Sequence, residues 1–301
     1  MSKLASINAF TFAVARFFLI ALYPLLADTL HISLASLIAC FSLGSFLPLF
    51  SSPFWAHASD RWGRLPVLRI GMSALFVSLA LIAFVVFDPF TNASLNLAVL
   101  LLSRLVYGLI AGALPPVAQA LQADHAASGE ATQAMRRHSL SLSSGRLAGV
   151  TILFFFKDHL LGSLPVVVGA TAAVLAVNIA AKFLFRGSVS EARRGPTPAV
   201  SFLSEMASIK WIALIALLFT GFVEAFNSSL AGMIHNVFEM DSAAASAFTA
   251  RLLFVACLGI FVVQTSAKLF SGLSPRLGLV FGAVTLSMGA LVFALSSSPV
   301  F

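Results

Sequence analysis

The chain alternates between long apolar runs and short polar breaks. Nine runs stand out, approximately Ile7 to Ala27, Ile32 to Phe50, Leu65 to Phe87, Leu95 to Leu121, Leu140 to Phe156, Leu164 to Phe185, Trp211 to His235, Ala243 to Thr265 and Leu277 to Leu295. Each is close to the roughly 20 apolar residues that carry an α-helix across a bilayer. Runs of this length predict helices rather than strands. The expected fold class is therefore all-α, a membrane-spanning helical bundle of about nine helices.

Composition points to the same solvent. Of 301 residues, 59% are hydrophobic and 10% charged, whereas a soluble domain carries about a quarter charged residues. The 29 Phe residues outnumber two Tyr and three Trp, so most aromatic surface has no polar handle. A soluble enzyme would have to expose much of that surface. The lipid bilayer is the first partner the composition names.

The net charge of +7 invites a nucleic-acid reading, which the charge distribution excludes. Such binders gather Lys and Arg on one face or segment, whereas here short basic clusters separate apolar runs. With a cytoplasmic N-terminus and one crossing per run, inner segments and inner helix ends hold Lys3, Arg61, Arg64, Arg69, Arg136, Arg137, Lys182, Arg186, Arg193, Arg194, Lys210, Lys268 and Arg276. Outer segments hold Lys157 alone. That asymmetry is what the positive-inside rule asks for. Arg16 interrupts the first run and no small-residue cleavage site follows, so the first run is expected to be an uncleaved helix. Cys40 and Cys257 lie within apolar runs without metal-ligand spacing and read as small core residues.

The longest polar stretch carries Gly187, Gly195, Pro196 and Pro198 and reads as a linker. It divides the chain into a six-helix unit over residues 1–186, a cytoplasmic linker over 187–210 and a three-helix unit over 211–301. A basic inner linker between two such units suggests internal duplication. Asp28 against Glu239 and Gly71 against Gly282 agree at a common offset.

Three segments carry motifs. Between the second and third runs stands Ala56-His57-Ala58-Ser59-Asp60-Arg61-Trp62-Gly63-Arg64. It resembles the loop signature of the major facilitator superfamily, Gly-x-x-x-Asp-Arg-x-Gly-Arg, in Asp60, Arg61, Gly63 and Arg64. Ala56 replaces the first glycine and Leu65 the final basic residue. In the fourth run Arg104, Gly108 and Gly112 share one helical face. They resemble the fourth-span Arg-x-x-x-Gly signature of the drug:proton antiporters of that superfamily, which ties Arg104 to proton coupling. In the fifth run, Gly145-Arg146-Leu147-Ala148-Gly149 partly resembles an antiporter signature, with Val150 where a proline belongs. Gly108, Gly112, Gly145 and Gly149 are expected packing positions, because small residues admit close helix approach.

The resemblance implies a twelve-helix fold of two six-helix halves, so a chain ending just after a ninth run is expected to be C-terminally truncated. It also implies a gating role for the loop motif, Asp60 binding a helix of the second half that would be absent. Family members line a central cavity with helices one, four, five and seven among others. Those runs hold Arg16, Tyr23, Arg104, Arg146, Glu224 and Asn227 here. Arg251 falls nearer an outer end, with Glu239 or Asp241 as potential partners.

A mid-membrane arginine costs at least about 2.5–3.5 kcal/mol on insertion scales, so such residues face a cavity or a partner. Four arginines against one intramembrane carboxylate, Glu224, leave positive charge to be met by something else. These residues point to an anionic small-molecule substrate, with Glu224 as the proton site and Asp28 and His235 behind it. Thr220, Glu224, Asn227 and Ser228 recur on one helical face, with His235 near the same stripe.

The expected function is secondary active transport by alternating access, as proton-coupled efflux of a small organic anion. A proton-coupled uptake symporter and a non-transporting truncated fragment are the alternatives. No cofactor, metal or catalytic residue is expected. His31, His57, His125, His138, His159 and His235 read as scattered positions at or beyond helix ends. A monomer in a bacterial inner membrane, with no nucleic-acid partner, completes the reading.

Overall fold

The structure is a computed structural model and describes residues 1–126, 131–156, 159–184, 222–223, 226–227, 229–266, 284 and 288. Glu224, Thr220, Ser228, the linker at 187–210 and almost all of the ninth apolar run lie outside the described residues. Among the described residues the regular structure is helical throughout, as apolar surroundings require when backbone groups must be satisfied within their own segment.

The first run forms α1 (Ser2–Ala21) and α2 (Tyr23–Thr29), divided at Leu22, where φ is −92° and ψ 0°. Pro24 sits in the first turn of α2, where its missing N–H is tolerated. The second run forms α3 (Leu34–Phe46), capped by Ser33 accepting from the Ser36 amide, and α4 (Pro48–Trp62). The third forms α5 (Arg64–Phe87). The fourth is broken as well, into α6 (Ala93–Leu109), a 3₁₀ turn at Ala111–Ala113 and α7 (Leu114–Asp124), whose first turn carries proline. Next come α8 (Ala131–Phe155), a 3₁₀ turn at Leu160–Ser163 and α9 (Leu164–Leu184). Residues 229–237 are helical, and α10 (Ser242–Thr265) starts at Asp241, whose carboxylate accepts from the Ala244 amide at 2.7 Å.

Six helical segments among the described residues are long and apolar enough to cross a membrane. The apolar runs located the crossings but not all their ends. The second run was read as closing at Phe50, yet the helix continues through Ser51, Ser52 and Pro53 to Trp62. The fifth was read from Leu140, yet α8 starts at Ala131, because Arg136 and Arg137 lie on a helical extension of the crossing. His57 and His138 stand inside helices, contrary to the expectation that every histidine lies at or beyond an end, while His235 lies in the last turn of its helix.

The middle of the bundle is α1, with fourteen of its twenty residues buried. It packs against α7, α8 and α9, while α5 lies against α6 and α9, and α10 against α8 and α2. Adjoining α1 and α8 run in the same direction, Gly145 facing Phe10 and Ala13 and Gly149 facing Val14. Around the outside, Phe50, Phe54, Phe84, Phe87, Phe155 and Val255 stand exposed, the surface that hydrocarbon solvates.

Both ends of the bundle are tied by polar contacts. At one end Asn8 and Asn178 exchange side-chain amide bonds at 3.1 and 3.2 Å, and Arg69 Nε donates to the Asn178 carbonyl at 2.9 Å. Ser143 Oγ also donates to Gln264 Oε1 there, joining α8 to α10. At the other, Asn96 donates to the carbonyls of Leu30 and Phe90, and the Leu25 amide to Ser246 Oγ, joining α2 to α10.

Candidate functional site

The breaks in the second and fourth crossings lie close together, with Leu47 Cβ 2.6 Å from where a Cβ on Gly108 would stand. Tyr23 follows the break at Leu22, Ser45 precedes the junction at Leu47, and Tyr107 precedes the break at Ile110. Together with Arg16, Leu19, Ile20, Phe41 and Arg104, these three residues line one cavity of about 10 Å³, room for about one water. Three of the expected substrate residues, Arg16, Tyr23 and Arg104, therefore meet across two different spans.

Arg104 is the centre of this site. It is 4% exposed, too deep in α6 for its head to reach an interface. Its Nη2 donates to Ser78 Oγ at 2.7 Å and to Ser103 Oγ at 3.0 Å. Ser103 in turn donates to the Ser78 carbonyl at 2.9 Å, fixing the pair. The guanidinium carbon sits 4.5 Å from the centre of the Phe41 ring and 4.9 Å from that of Tyr107, a stacking geometry that attracts a cation. Tyr107 stacks on Phe12 and Tyr23 tilts onto Phe41, so the walls are rigid aromatic surfaces. Among the described residues no carboxylate lies within ion-pair distance of Arg104.

The other expected residues fall elsewhere. Arg146 is half-buried on α8, with its guanidinium carbon 5.3 Å from the centre of the Phe17 ring, and does not line this cavity. Asn227 is half-buried and also lies off it. Arg251 is exposed on α10 and forms no ion pair with Glu239 or Asp241. A second space of about 170 Å³ opens at the far end between Pro24, Asp28, Ile32, Leu34, His235 and Ser242, which places Asp28 and His235 on one pocket.

Small residues make the site's dense framework. A Cβ added to Gly108 would fall 2.7 Å from the Gly44 carbonyl oxygen and 2.6 Å from Leu47 Cβ, and one on Gly112 would fall 3.0 Å from Pro48. On α8, a Cβ at Gly145 would collide with the Phe10 carbonyl, and one at Gly149 would lie 2.5 Å from the Val14 oxygen. The break after Leu109 leaves carbonyls without helical partners. Ser51 takes the Gly108 oxygen at 2.9 Å and Trp55 Nε1 the Leu109 oxygen at 2.6 Å.

The polar motif after the second run is more helical than the expected loop. Asp60 and the exposed Arg61 belong to the last turn of α4, Arg64 opens α5, and Gly63 alone joins them. Gly63 has φ +91° and ψ 153°, a region essentially confined to glycine. Arg64 binds Asp60 at 2.7 Å and Ser59 on one side and Asp124, at the end of α7, at 3.0 Å on the other. The partner Asp124 went unforeseen because it stands sixty residues away. Ser78 was likewise hidden, although a serine within an apolar run is the kind of signal that marks an interhelical contact.

A model of the Major Facilitator Superfamily matches residues 5–301, nearly the full length. No curated protein matches the chain. The family is one of secondary transporters embedded in the membrane by many crossings, which fits six long apolar helices arranged about a small polar centre. The chain belongs to the Major Facilitator Superfamily.

Proposed function

We propose that this transporter exports a small organic anion in exchange for protons. The observation that carries the reading is Arg104: a cation 4% exposed, bonded to two neutral serines and stacked on two rings. Serine hydroxyls and aromatic faces orient a guanidinium but bring no formal negative charge to offset its desolvation. Arg16 lines the same cavity, and among the described residues no Asp or Glu does. A carboxylate-bearing cargo supplies the missing charge and can be gripped by both nitrogens of a planar guanidinium.

The Arg104-x-x-x-Gly108 spacing supports placement with the drug:proton antiporters, with Arg104 as a proton-coupling residue. Glu224 is the proposed proton site. Proton binding there changes the charge of the polar centre and so biases which side it opens to. Asp60, Arg61, Gly63 and Arg64 are proposed to act in gating, since Arg64 links the ends of α4 and α7. Arg16, Tyr23, Arg104, Arg146, Glu224 and Asn227 are the proposed substrate contacts, reached in different stages of the cycle. The charge asymmetry supports a cytoplasmic N-terminus; a linker at 187–210 between two units and a monomer in a bacterial inner membrane complete the proposal.

Proteoliposomes with an imposed pH gradient test this directly. Organic-anion flux should follow the gradient, collapse with a protonophore, and lose its dependence on the gradient in Glu224→Gln. Flux that ignores the gradient in the unsubstituted protein would remove proton coupling, and a fully coupled Glu224→Gln would move the proton site elsewhere.

A further inference from the structure

The pocket of about 170 Å³ at the far end of the bundle lies apart from the Arg104 cavity. Its walls come from both sides of residues 187–210: Asp28 of α2, Ile32 and Leu34 on one side, His235 of helix 229–237 and Ser242 of α10 on the other. The two sides meet closely there. A Cβ on Gly232 would fall 3.1 Å from Ile38, and the Leu25 amide donates to Ser246 Oγ at 3.4 Å.

Three polar groups converge on this space. His235 Nδ1 is buried with no hydrogen-bond partner. A buried ring nitrogen left unpaired costs about 1–3 kcal/mol, so it calls for a partner from the pocket. Among the described residues the Asp28 carboxylate forms no ion pair, and neither it nor Ser242 Oγ makes a side-chain hydrogen bond.

Charge selects a cation. Asp28 lines the pocket and, among the described residues, no Lys or Arg does. Glu239 and Asp241 follow His235 in the turn to α10, with the Asp241 carboxylate held by the Ala244 amide. His31 follows α2, and the exposed Arg251 is nine residues beyond Ser242, roughly 13 Å along the helix. A metal ion would find too few ligands, because Asp28 and His235 are the two carboxylate or imidazole groups on the wall and do not pair with one another.

Hydrogen bonding selects the kind of cation. With its proton on Nε2, His235 accepts at Nδ1, as do the Asp28 carboxylate and Ser242 Oγ. Three acceptors on three helices match the three N–H donors of a primary ammonium. Ile32 and Leu34 offer its carbon skeleton an apolar wall.

We propose that this pocket binds a small primary-ammonium compound, with its nitrogen shared by Asp28, His235 and Ser242 and its tail on Ile32 and Leu34. The bound ligand ties α2 to helix 229–237 and α10, and so favours the arrangement in which these helices meet. The site does not rest on the anionic-cargo reading.

Propylammonium is the probe, read as the unfolding midpoint of the full chain in detergent at constant ionic strength. The midpoint should rise along a saturable curve. Tetramethylammonium, which has no N–H, and 1-propanol, which has no charge, should leave it flat. Asp28→Asn, at an exposed position, should abolish the rise, and His235→Phe should move the curve to several-fold higher concentration. If His235→Phe does not fold, Asp28→Asn decides the matter. No rise with propylammonium, an equal rise with tetramethylammonium, or an undiminished rise in Asp28→Asn overturns the proposal. Propylammonium binding without organic-anion flux refutes only the cargo reading, and flux without propylammonium binding refutes only this one.

Discussion

The Arg104 guanidinium carbon on α6 lies 4.5 Å from the centre of the Phe41 ring on α3, so the second crossing holds the cation of the fourth. That contact depends on close approach of the two helices at Gly108 and Gly44. Lysine in place of Arg104 keeps the charge but loses the planar surface and the fork that meets Ser78 and Ser103. Arg104→Lys should therefore fold while slowing flux at least tenfold, measured as initial rate in proteoliposomes.

Gly63 gives a test confined to the backbone. Its φ of +91° is strained for any side chain, so Gly63→Ala should destabilise by about 1–3 kcal/mol. Open space around its Cβ, with Pro66 at 3.6 Å, removes a steric explanation. Thermal unfolding in detergent should show the loss.

Two glycines on helices consecutive in the chain should behave oppositely. At Gly145 an added Cβ meets the Phe10 backbone and Ala13, whereas at Gly169 it meets nothing within 4 Å. Gly145→Ala should force α1 and α8 apart at a cost of about 1–3 kcal/mol. Gly169→Ala should leave the unfolding midpoint unchanged or raise it, since alanine is the better helix former.

Trp55 holds the break in the fourth crossing. Trp55→Phe keeps a ring but orphans the Leu109 carbonyl, bonded now at 2.6 Å, with an expected loss of about 1–3 kcal/mol. The same change should reduce flux, because α6 carries Arg104 just above that break. A variant with normal stability and normal flux would show that the carbonyl finds another donor.

The crossings among the described residues were legible because the apolar runs that form them are bounded by charge or turn residues. Helix ends were less so where polarity and helicity part company: Ser51 to Trp62 is polar in sequence yet helical, since Pro53 is tolerated within α4. Arg16, Tyr23 and Arg104 were legible as site candidates from the cost of burying charge and from helical phase. Their surroundings were not. Ser78 and Phe41 reach Arg104 from other helices, as Asp124 reaches Arg64, and no spacing rule along one helix identifies a partner across two. Arg146 shared the same burial argument but not the same cavity, because α8 turns it toward Phe17. Asn8 and Asn178, each a lone amide in an apolar run, were a readable sign of pairing that periodicity alone does not match up.

The central claim concerns charge complementarity at Arg104 and Arg16. It is tested most directly by comparing, in proteoliposomes with a fixed pH gradient, transport of an organic carboxylate with that of its uncharged amide and of a lipophilic cation of similar size. The account predicts saturable flux of the carboxylate, at least tenfold weaker flux of the amide and none of the cation. Equal transport of carboxylate and amide, or preference for the cation, would contradict it.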